Sequence, residues 1–147
     1  MTAPSTKASP PATRRRRKND PESVRADILA VATREFSEKG LSGARIDETA
    51  EKTRASKRMI YYYFNDKETL YLHTLEAAYQ KVRLQEAELD LDHLAPLEAL
   101  SRLVRFTFCH HAKNPDFIRL VMIENIHHGR FLAQSELIQS LNAGVID

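Results

Sequence analysis

A basic and aromatic stretch, Ser56 to Glu68, carries the residue types most suited to chemistry in this 147-residue chain. Lys57, Arg58 and Lys67 supply positive charge, and the consecutive tyrosines 61–63 supply hydroxyl groups on rigid rings. Lysine and arginine bind phosphates and base edges, and tyrosine hydroxyls hydrogen-bond to phosphates. A surface helix with ordinary charges and half-buried rings is the alternative, but three tyrosines in a row are unusual there. The stretch therefore predicts a surface that lies on nucleic acid.

Two short helices braced by a longer one are predicted to position this stretch. The first helix covers about residues 21–39, with Asp20 as its cap and Gly40 at its end. A second helix covers about residues 45–52, and Ser56 can cap a third helix of about two turns. Two short helices joined by three or four residues and packed on a longer helix form a helix-turn-helix.

The third helix is predicted to have one polar and one buried face. Positions 57, 58, 61 and 62 share a face at helical spacing, whereas Ile60 and Phe64 point the other way, into the core. Arg58 is the best candidate for a bidentate contact to guanine, and Lys57 could make the same contact or hold a phosphate. Tyr63 could instead pack against the first helix and offer only its hydroxyl group.

The remainder of the chain is also predicted to be helical. Helices are expected over about residues 67–88 and 96–111, then a helix that Gly129 closes, then another over about residues 130–142. In the second of these, four apolar residues fall on one stripe: Leu97, Leu100, Val104 and Phe108. No strand pattern is present, so the predicted fold class is all-α.

Charge and composition narrow the class of protein. Six basic residues and no acid lie within residues 1–19, which leaves 16 bases against 20 acids, a net charge of −4, in the rest of the chain. Residues 1–20 are therefore predicted to be a disordered basic arm, either a solubilising tail or an arm that reaches DNA. The single cysteine excludes an intrachain disulfide, and no apolar run is long enough to span a membrane. A soluble cytoplasmic protein is expected.

Between about Val24 and Leu75 the chain resembles the TetR family of bacterial transcriptional regulators. The resemblance rests on the order and spacing of several short motifs: Phe36-Ser37-Glu38-Lys39-Gly40, Ile46-Asp47-Glu48-Thr49-Ala50, Ser56-Lys57, Ile60-Tyr61-Tyr62-Tyr63-Phe64 and Asp66-Lys67-Glu68-Thr69-Leu70. It implies a DNA-binding domain over residues 21–66 and a helical effector-binding and dimerisation domain over residues 67–147. The expected function is a homodimeric repressor that binds a palindromic operator in double-stranded DNA and is released by a small-molecule effector.

The resemblance also implies roles for individual residues. Lys57, Arg58 and Met59, after the capping Ser56, would open the recognition helix and face base edges. The three tyrosines would contact phosphates, and Tyr61 could also touch a base. Lys67 matches a phosphate-binding lysine of the family. The complete set of expected DNA-binding residues is Arg45, Ser56, Lys57, Arg58, Met59, Tyr61, Tyr62, Tyr63 and Lys67.

Three departures from the family pattern affect these expectations. Many members have glycine in the turn where this chain has Arg54, and a positive φ there would strain an arginine. Many also have a small residue at Arg58, so the base preference should differ. Members are usually longer, and their last two helices form the dimer interface. The second domain is therefore expected to be incomplete, and the alternative function is a ligand-binding or interaction module without specific DNA binding of its own.

Histidines in the second half suggest a pocket more than a metal site. Adjacent histidines on a helix point about 100° apart, and Glu124 with His128 lacks a third and fourth ligand, so no metal and no cofactor are expected. Polar side chains among apolar ones suit an effector pocket, and the candidates are Phe106, Cys109, His110, Ile123 and His127. No phosphate-binding loop, nucleophile elbow or paired-carboxylate motif supports an enzyme.

Overall fold

The protein is helical throughout the part that the computed structural model describes, residues 20–146. In chain order the helices are α1 (Pro21–Gly43), α2 (Ile46–Lys52), α3 (Lys57–Phe64), α4 (Lys67–Ala87), α5 (Pro96–Lys113), α6 (Pro115–Ile126) and α7 (Glu136–Ile146), with a 3-10 helix at Leu132–Gln134. The all-α prediction is confirmed. The basic arm, apart from Asp20, lies outside the described residues. Within that range no helix combines the length and the apolar character needed to cross a membrane.

Helix α1 braces the N-terminal half through its apolar face. Ile28, Ala32 and Phe36 recur at helical spacing and are almost completely buried. The helix leaves α geometry at Gly40, whose φ of 71° suits glycine, and a short further turn continues to Gly43. The prediction that Gly40 ends the regular helix is therefore confirmed. Asp20 occupies the capping position, but its side chain accepts no capping hydrogen bond, contrary to expectation.

Side-chain caps begin α3 and α4, and the cap at Ser56 is the one predicted above from the sequence. The Ser56 hydroxyl accepts a hydrogen bond from the Met59 amide at 3.2 Å, and the Asp66 carboxylate accepts one from the Thr69 amide at 2.7 Å. Each satisfies an amide that a helix start leaves without a partner. Arg54 in the turn is not among the residues with positive φ, and its amide donates to Asp27 at 3.1 Å. The strain considered for Arg54 is therefore absent.

A polar cluster around Glu124 of α6 links several helices. The Glu124 side chain is fully buried and accepts hydrogen bonds from the Tyr71 hydroxyl at 3.0 Å and from the amides of Phe131 and Leu132 at 2.7 and 3.0 Å. Burial and the Glu124 carboxylate raise the pKa of Tyr71, so this hydroxyl stays protonated and donates. The Tyr71 ring packs edge-on against Phe36 of α1, with the ring centres 5.2 Å apart. One polar cluster thus ties α1, α4 and α6 together.

The apolar stripe predicted on α5 exists but is exposed. Leu97 and Phe108 are 80% and 74% exposed, and Leu100 and Val104 are 57% and 59% exposed. The inward face of α5 instead buries His110, which lies against the Phe117 ring of α6. The last predicted helix also differs, because a 3-10 helix precedes α7 and α7 begins only at Glu136.

Candidate nucleic-acid interface

Helix α3 presents one polar face to solvent because its other face is anchored. Ile60 and Phe64 are 1% exposed, and they fix the rotation of the helix about its axis. Lys57, Arg58 and Tyr61 therefore point outward, as the sequence predicts. No carboxylate lies within 4.0 Å of the Arg58 guanidinium among residues 20–146, so its hydrogen-bond donors face solvent. The Arg58 guanidinium can therefore bind a base edge or a phosphate without first breaking an ion pair.

The three tyrosines differ in exposure. Tyr62 is 83% exposed, Tyr61 is 42% exposed and Tyr63 is half-buried. Tyr63 packs against the core, and its ring lies edge-on to that of Tyr62 with the centres 5.3 Å apart. Tyr63 thus supports its neighbour while Tyr61 and Tyr62 face outward. Of the other predicted residues, Ser56 uses its hydroxyl as the cap of α3, and Met59 is partly exposed beside it.

A shallow basic depression of about 330 Å³ lies beside α3, where α2 and α4 begin. Its lining includes Arg45, Lys57, Tyr61 and Lys67, four of the residues that the sequence predicts to bind DNA. The Lys67 ammonium donates to the Ala44 carbonyl at 3.0 Å, which holds the charge at the rim. Three cations and a phenol around one depression suit a phosphate group.

Asp47 lies inside this basic depression and was not predicted as a site residue. Its carboxylate is 2.6 Å from the Lys57 ammonium and 3.5 Å from the Arg45 guanidinium. Lys57 lowers the pKa of Asp47, and Asp47 in turn raises the pKa of Lys57, so both groups remain charged. A bound phosphate must therefore compete with the Asp47 carboxylate for these two cations.

Replacing Asp47 by asparagine is expected to increase affinity for duplex DNA of any sequence. The substitution frees Lys57 and Arg45, and each additional phosphate contact steepens the dependence of log K on log salt by about 0.9. Fluorescence anisotropy across a salt series measures both effects. Glu51→Gln removes the same charge from an exposed position on α2 and is the control. Equal gains in both variants would show that net charge alone is responsible.

An ion cluster centred on the buried Glu35 joins α1 to α2. Glu35 is 2% exposed, lies 2.8 Å from the Lys39 ammonium and also pairs with Lys52 of α2. Lys39 pairs in addition with Glu48 of α2. The hydrogen bond from Lys39, together with that from Lys52, lowers the pKa of Glu35 below its usual range. The i,i+4 spacing of Glu35 and Lys39 was visible in the sequence, whereas their contacts with α2 depend on the fold.

The lowered pKa of Glu35 predicts an acid-sensitive contribution to stability. A carboxyl group whose pKa is lowered in the folded state stabilises that state above the unfolded pKa, and this contribution is lost as the pH falls through the folded pKa. We expect Glu35→Gln to reduce the loss of stability between neutral and strongly acidic pH, measured by urea unfolding across that range. Glu38→Gln, an exposed neighbour on α1, should leave the pH profile unchanged. Identical profiles for Glu35→Gln and wild type would contradict the prediction.

The structure brings together only part of the predicted effector pocket. Phe106, Cys109 and His110 line a cavity of about 400 Å³ against the end of α4. Ile123 packs against the core, and the His127 ring lies edge-on to Phe131 with the centres 5.9 Å apart, so neither lines that cavity. Both lie beyond the turn at Asn114, Ile123 within α6 and His127 just after its end.

The metal pair considered from the sequence does not form a ligand set. Glu124 points into the core and is occupied by its three hydrogen bonds, while His128 is exposed and has a φ of 57°. Within residues 20–146 no three histidine, cysteine, aspartate or glutamate side chains are close enough together to hold an ion.

Two family models match this chain. Residues 28–74, from α1 into α4, match the model for bacterial regulatory proteins of the tetR family, and residues 96–147 match the model for the tetracyclin repressor-like C-terminal domain. The first match contains the helix-turn-helix described above, and the second contains α5, α6 and α7. The chain belongs to the TetR family of bacterial regulatory proteins.

Two curated relatives are named as HTH-type transcriptional repressors. The chain is 34% identical over 123 residues to the HTH-type transcriptional repressor NicS of Pseudomonas putida, covering 84% of this chain and 58% of that protein. It is 33% identical over 116 residues to the HTH-type transcriptional repressor SCO4008 of Streptomyces coelicolor, covering 75% of this chain and 54% of that protein. The chain thus spans little more than half the length of these relatives.

Solved structures share the fold. A putative transcriptional regulator SCO4942 from Streptomyces coelicolor superposes with a TM-score of 0.60 at 31% identity, covering 76% of this chain and 58% of that one. A putative TetR-family regulator from Mesorhizobium loti superposes with a TM-score of 0.70 at 21% identity, covering 84% of this chain and 62% of that one. The second likeness supports the fold alone.

Proposed function

We propose that this protein is a sequence-specific DNA-binding transcriptional regulator, and specifically a repressor that a small-molecule effector releases. The observation that carries the proposal is the outward face of α3, where Lys57, Arg58, Tyr61 and Tyr62 are exposed while Ile60 and Phe64 anchor the helix. The relatives named as HTH-type transcriptional repressors support the same reading.

In the proposed complex, the residues divide into base-reading and phosphate-binding groups. Arg58 makes a bidentate contact to a guanine in the major groove, and Lys57 contacts a neighbouring base or phosphate. Tyr61 and Tyr62 donate hydrogen bonds to the backbone, Arg45 and Lys67 bind phosphate at the basic depression, and the Tyr63 hydroxyl adds to this contact. These last contacts fix the register of α3 in the groove.

We propose residues 21–66 as the DNA-binding unit and residues 67–147 as the effector-binding and dimerisation unit. Helix α1 belongs to the first and packs against both α4 and α6 of the second, which gives a physical route between them. Because the proposed partner is bacterial DNA, the proposed location is the cytoplasm. The role is regulatory rather than enzymatic.

We further propose a homodimer in which a second copy covers the apolar face of α5. Four large side chains along this face are more than half exposed, and such a face is unfavourable in water. Two copies also allow a palindromic operator whose half-sites lie about 34–36 Å apart, or a multiple of this distance.

Sedimentation of Val104→Asp tests the dimer. The charge should convert a wild-type dimer to monomer, whereas Leu84→Asp, at an exposed leucine of α4, should leave it unchanged. A wild-type protein that is a monomer at all concentrations, or a dimer that survives Val104→Asp, would contradict this interface.

Selection of bound fragments from a random DNA pool at near-physiological salt tests the proposed function. We expect enrichment of a palindrome. Recovery of unrelated, salt-sensitive fragments, bound at the non-specific level of about 10⁻⁴–10⁻⁶ M, would contradict it and favour an interaction module instead.

A further inference from the structure

A cleft of about 370 Å³ lies where α1, α4 and the turn between α5 and α6 meet. Leu29 of α1, Ala78 of α4 and Phe117 of α6 form apolar walls, and Arg34, Lys81 and Lys113 bring three positive charges to its lining. The volume falls within the range of small-molecule sites, which combine apolar walls with a few polar groups. This cleft differs from the cavity beside Phe106 and Cys109, although His110, Lys113 and Asn114 line both.

The cations of the cleft are not neutralised by the protein. Within residues 20–146, no carboxylate lies within 4.0 Å of the charged groups of Arg34, Lys81 or Lys113. The one acidic residue in the lining, Asp116, accepts a hydrogen bond from the Ser37 hydroxyl at 3.0 Å and lies 3.8 Å from the Arg119 guanidinium. The cleft therefore carries an excess of positive charge that favours an anion.

His110 also lines this cleft. Its side chain is buried, and Nδ1 has no hydrogen-bond partner within the described part of the chain. The ring is held edge-on to Phe117, with the centres 5.4 Å apart. Burial lowers the pKa of His110, which favours the neutral ring in the wall of the cleft. A ligand in the cleft would therefore lie beside a neutral imidazole and the three cations.

We propose that this cleft binds a small organic carboxylate. The carboxylate lies between the Lys81 and Lys113 ammonium groups, beside the His110 ring. The apolar body of the ligand packs against Leu29 and Phe117. A neutral molecule of the same shape leaves the cations without a partner and binds more weakly.

The position of the cleft also assigns the site a regulatory role, and this part rests on the proposed function. One wall is α1, whose other residues brace the helix-turn-helix, and the opposite wall is the junction of α5 and α6. A ligand that touches both walls favours one arrangement of α1 relative to α6. If the DNA-bound protein has a different arrangement, binding of the ligand lowers the affinity for DNA.

Titration of the full chain, labelled with nitrogen-15 at histidine, tests the site directly. Benzoate, cyclohexanecarboxylate and hexanoate at millimolar concentration are the probes, and benzamide is the neutral match for benzoate. We expect at least one carboxylate to shift the His110 Nδ1 resonance and raise the melting temperature, and benzamide to do neither. His110→Gln assigns the resonance. No response to any of the carboxylates, or equal responses to benzoate and benzamide, would overturn the proposal.

Variants at exposed positions test the site without changing the buried His110, whose replacement could disturb the fold. Lys81→Met combined with Lys113→Met should weaken binding of the carboxylate at least tenfold, because both cations are removed at exposed positions. Arg105→Met removes an exposed charge elsewhere on α5 and should leave binding unchanged. Equal weakening in both variants would mean that net charge, and not the cleft, attracts the ligand.

DNA binding with and without the carboxylate separates the two proposals. A lower affinity for the selected operator in the presence of the carboxylate supports the regulatory role, and an unchanged affinity overturns that role. If the protein binds the carboxylate in the cleft but selects no operator, the proposed function is overturned and the proposal of a carboxylate site is retained.

Discussion

Replacing Glu124 by alanine is expected to destabilise the protein by at least about 3 kcal/mol, because it leaves three hydrogen-bond donors without an acceptor and each such donor costs about 1–3 kcal/mol. The Tyr71 hydroxyl and the amides of Phe131 and Leu132 all lose their acceptor, and Tyr71 and Phe131 are buried. Domains of this kind are stable by about 5–15 kcal/mol in total, so the variant should be largely unfolded at moderate urea concentration. The midpoint of urea unfolding measures the loss.

Two further substitutions provide losses of stability with which the Glu124→Ala loss can be compared. Tyr71→Phe removes one donor and leaves the carboxylate with two amides, so we expect a smaller loss of about 1–3 kcal/mol. Glu98→Ala removes a carboxylate that is 56% exposed and pairs only with Arg102 at 3.5 Å, and should change stability by less than about 1 kcal/mol. An unfolding midpoint for Glu124→Ala that matches the midpoint for Glu98→Ala would contradict the role of the cluster.

Arg58→Glu is expected to reduce affinity for the selected operator by about a hundredfold. A bidentate arginine contact to guanine contributes about 1–3 kcal/mol of discrimination, and a glutamate in its place adds repulsion from the phosphates. Since Arg58 is exposed and has no carboxylate partner in residues 20–146, the substitution should not disturb the fold. Anisotropy titration measures the affinity, and circular dichroism checks the fold.

Arg105→Glu is the matched control for Arg58→Glu. It makes the same change of charge at an exposed position of α5, far along the chain from the helix-turn-helix. We expect less than about a threefold change in DNA affinity, which reflects net charge alone. If the two variants lose affinity equally, α3 is not the surface that reads DNA.

Local rules explain why the helix-turn-helix was predictable from the sequence. Ser56 and Asp66 cap helices because their side chains reach amides three residues ahead, and this requires no knowledge of the rest of the fold. Ile60 and Phe64 are four residues apart and so share one face of α3, which fixes the exposed positions of that helix. The outward placement of Lys57, Arg58 and Tyr61 follows from the same spacing.

Features that depend on packing between distant segments were not predictable in this way. Glu124 could be placed on a helix with His128, but its inward direction depends on Tyr71 and on the segment at Phe131. The pairing of Lys57 with Asp47 joins two helices across the turn. The stripe on α5 has the spacing of a buried face, yet periodicity cannot show whether another surface covers it.

Repeating the selection of DNA fragments with Arg58→Ala, beside wild type, tests the central claim most directly. If α3 reads bases through Arg58, the variant should select the same palindrome with relaxed preference at one base pair in each half-site, while preferences elsewhere persist. A variant that selects the wild-type motif with undiminished preference at every position would contradict the assignment of Arg58 as a base-reading residue.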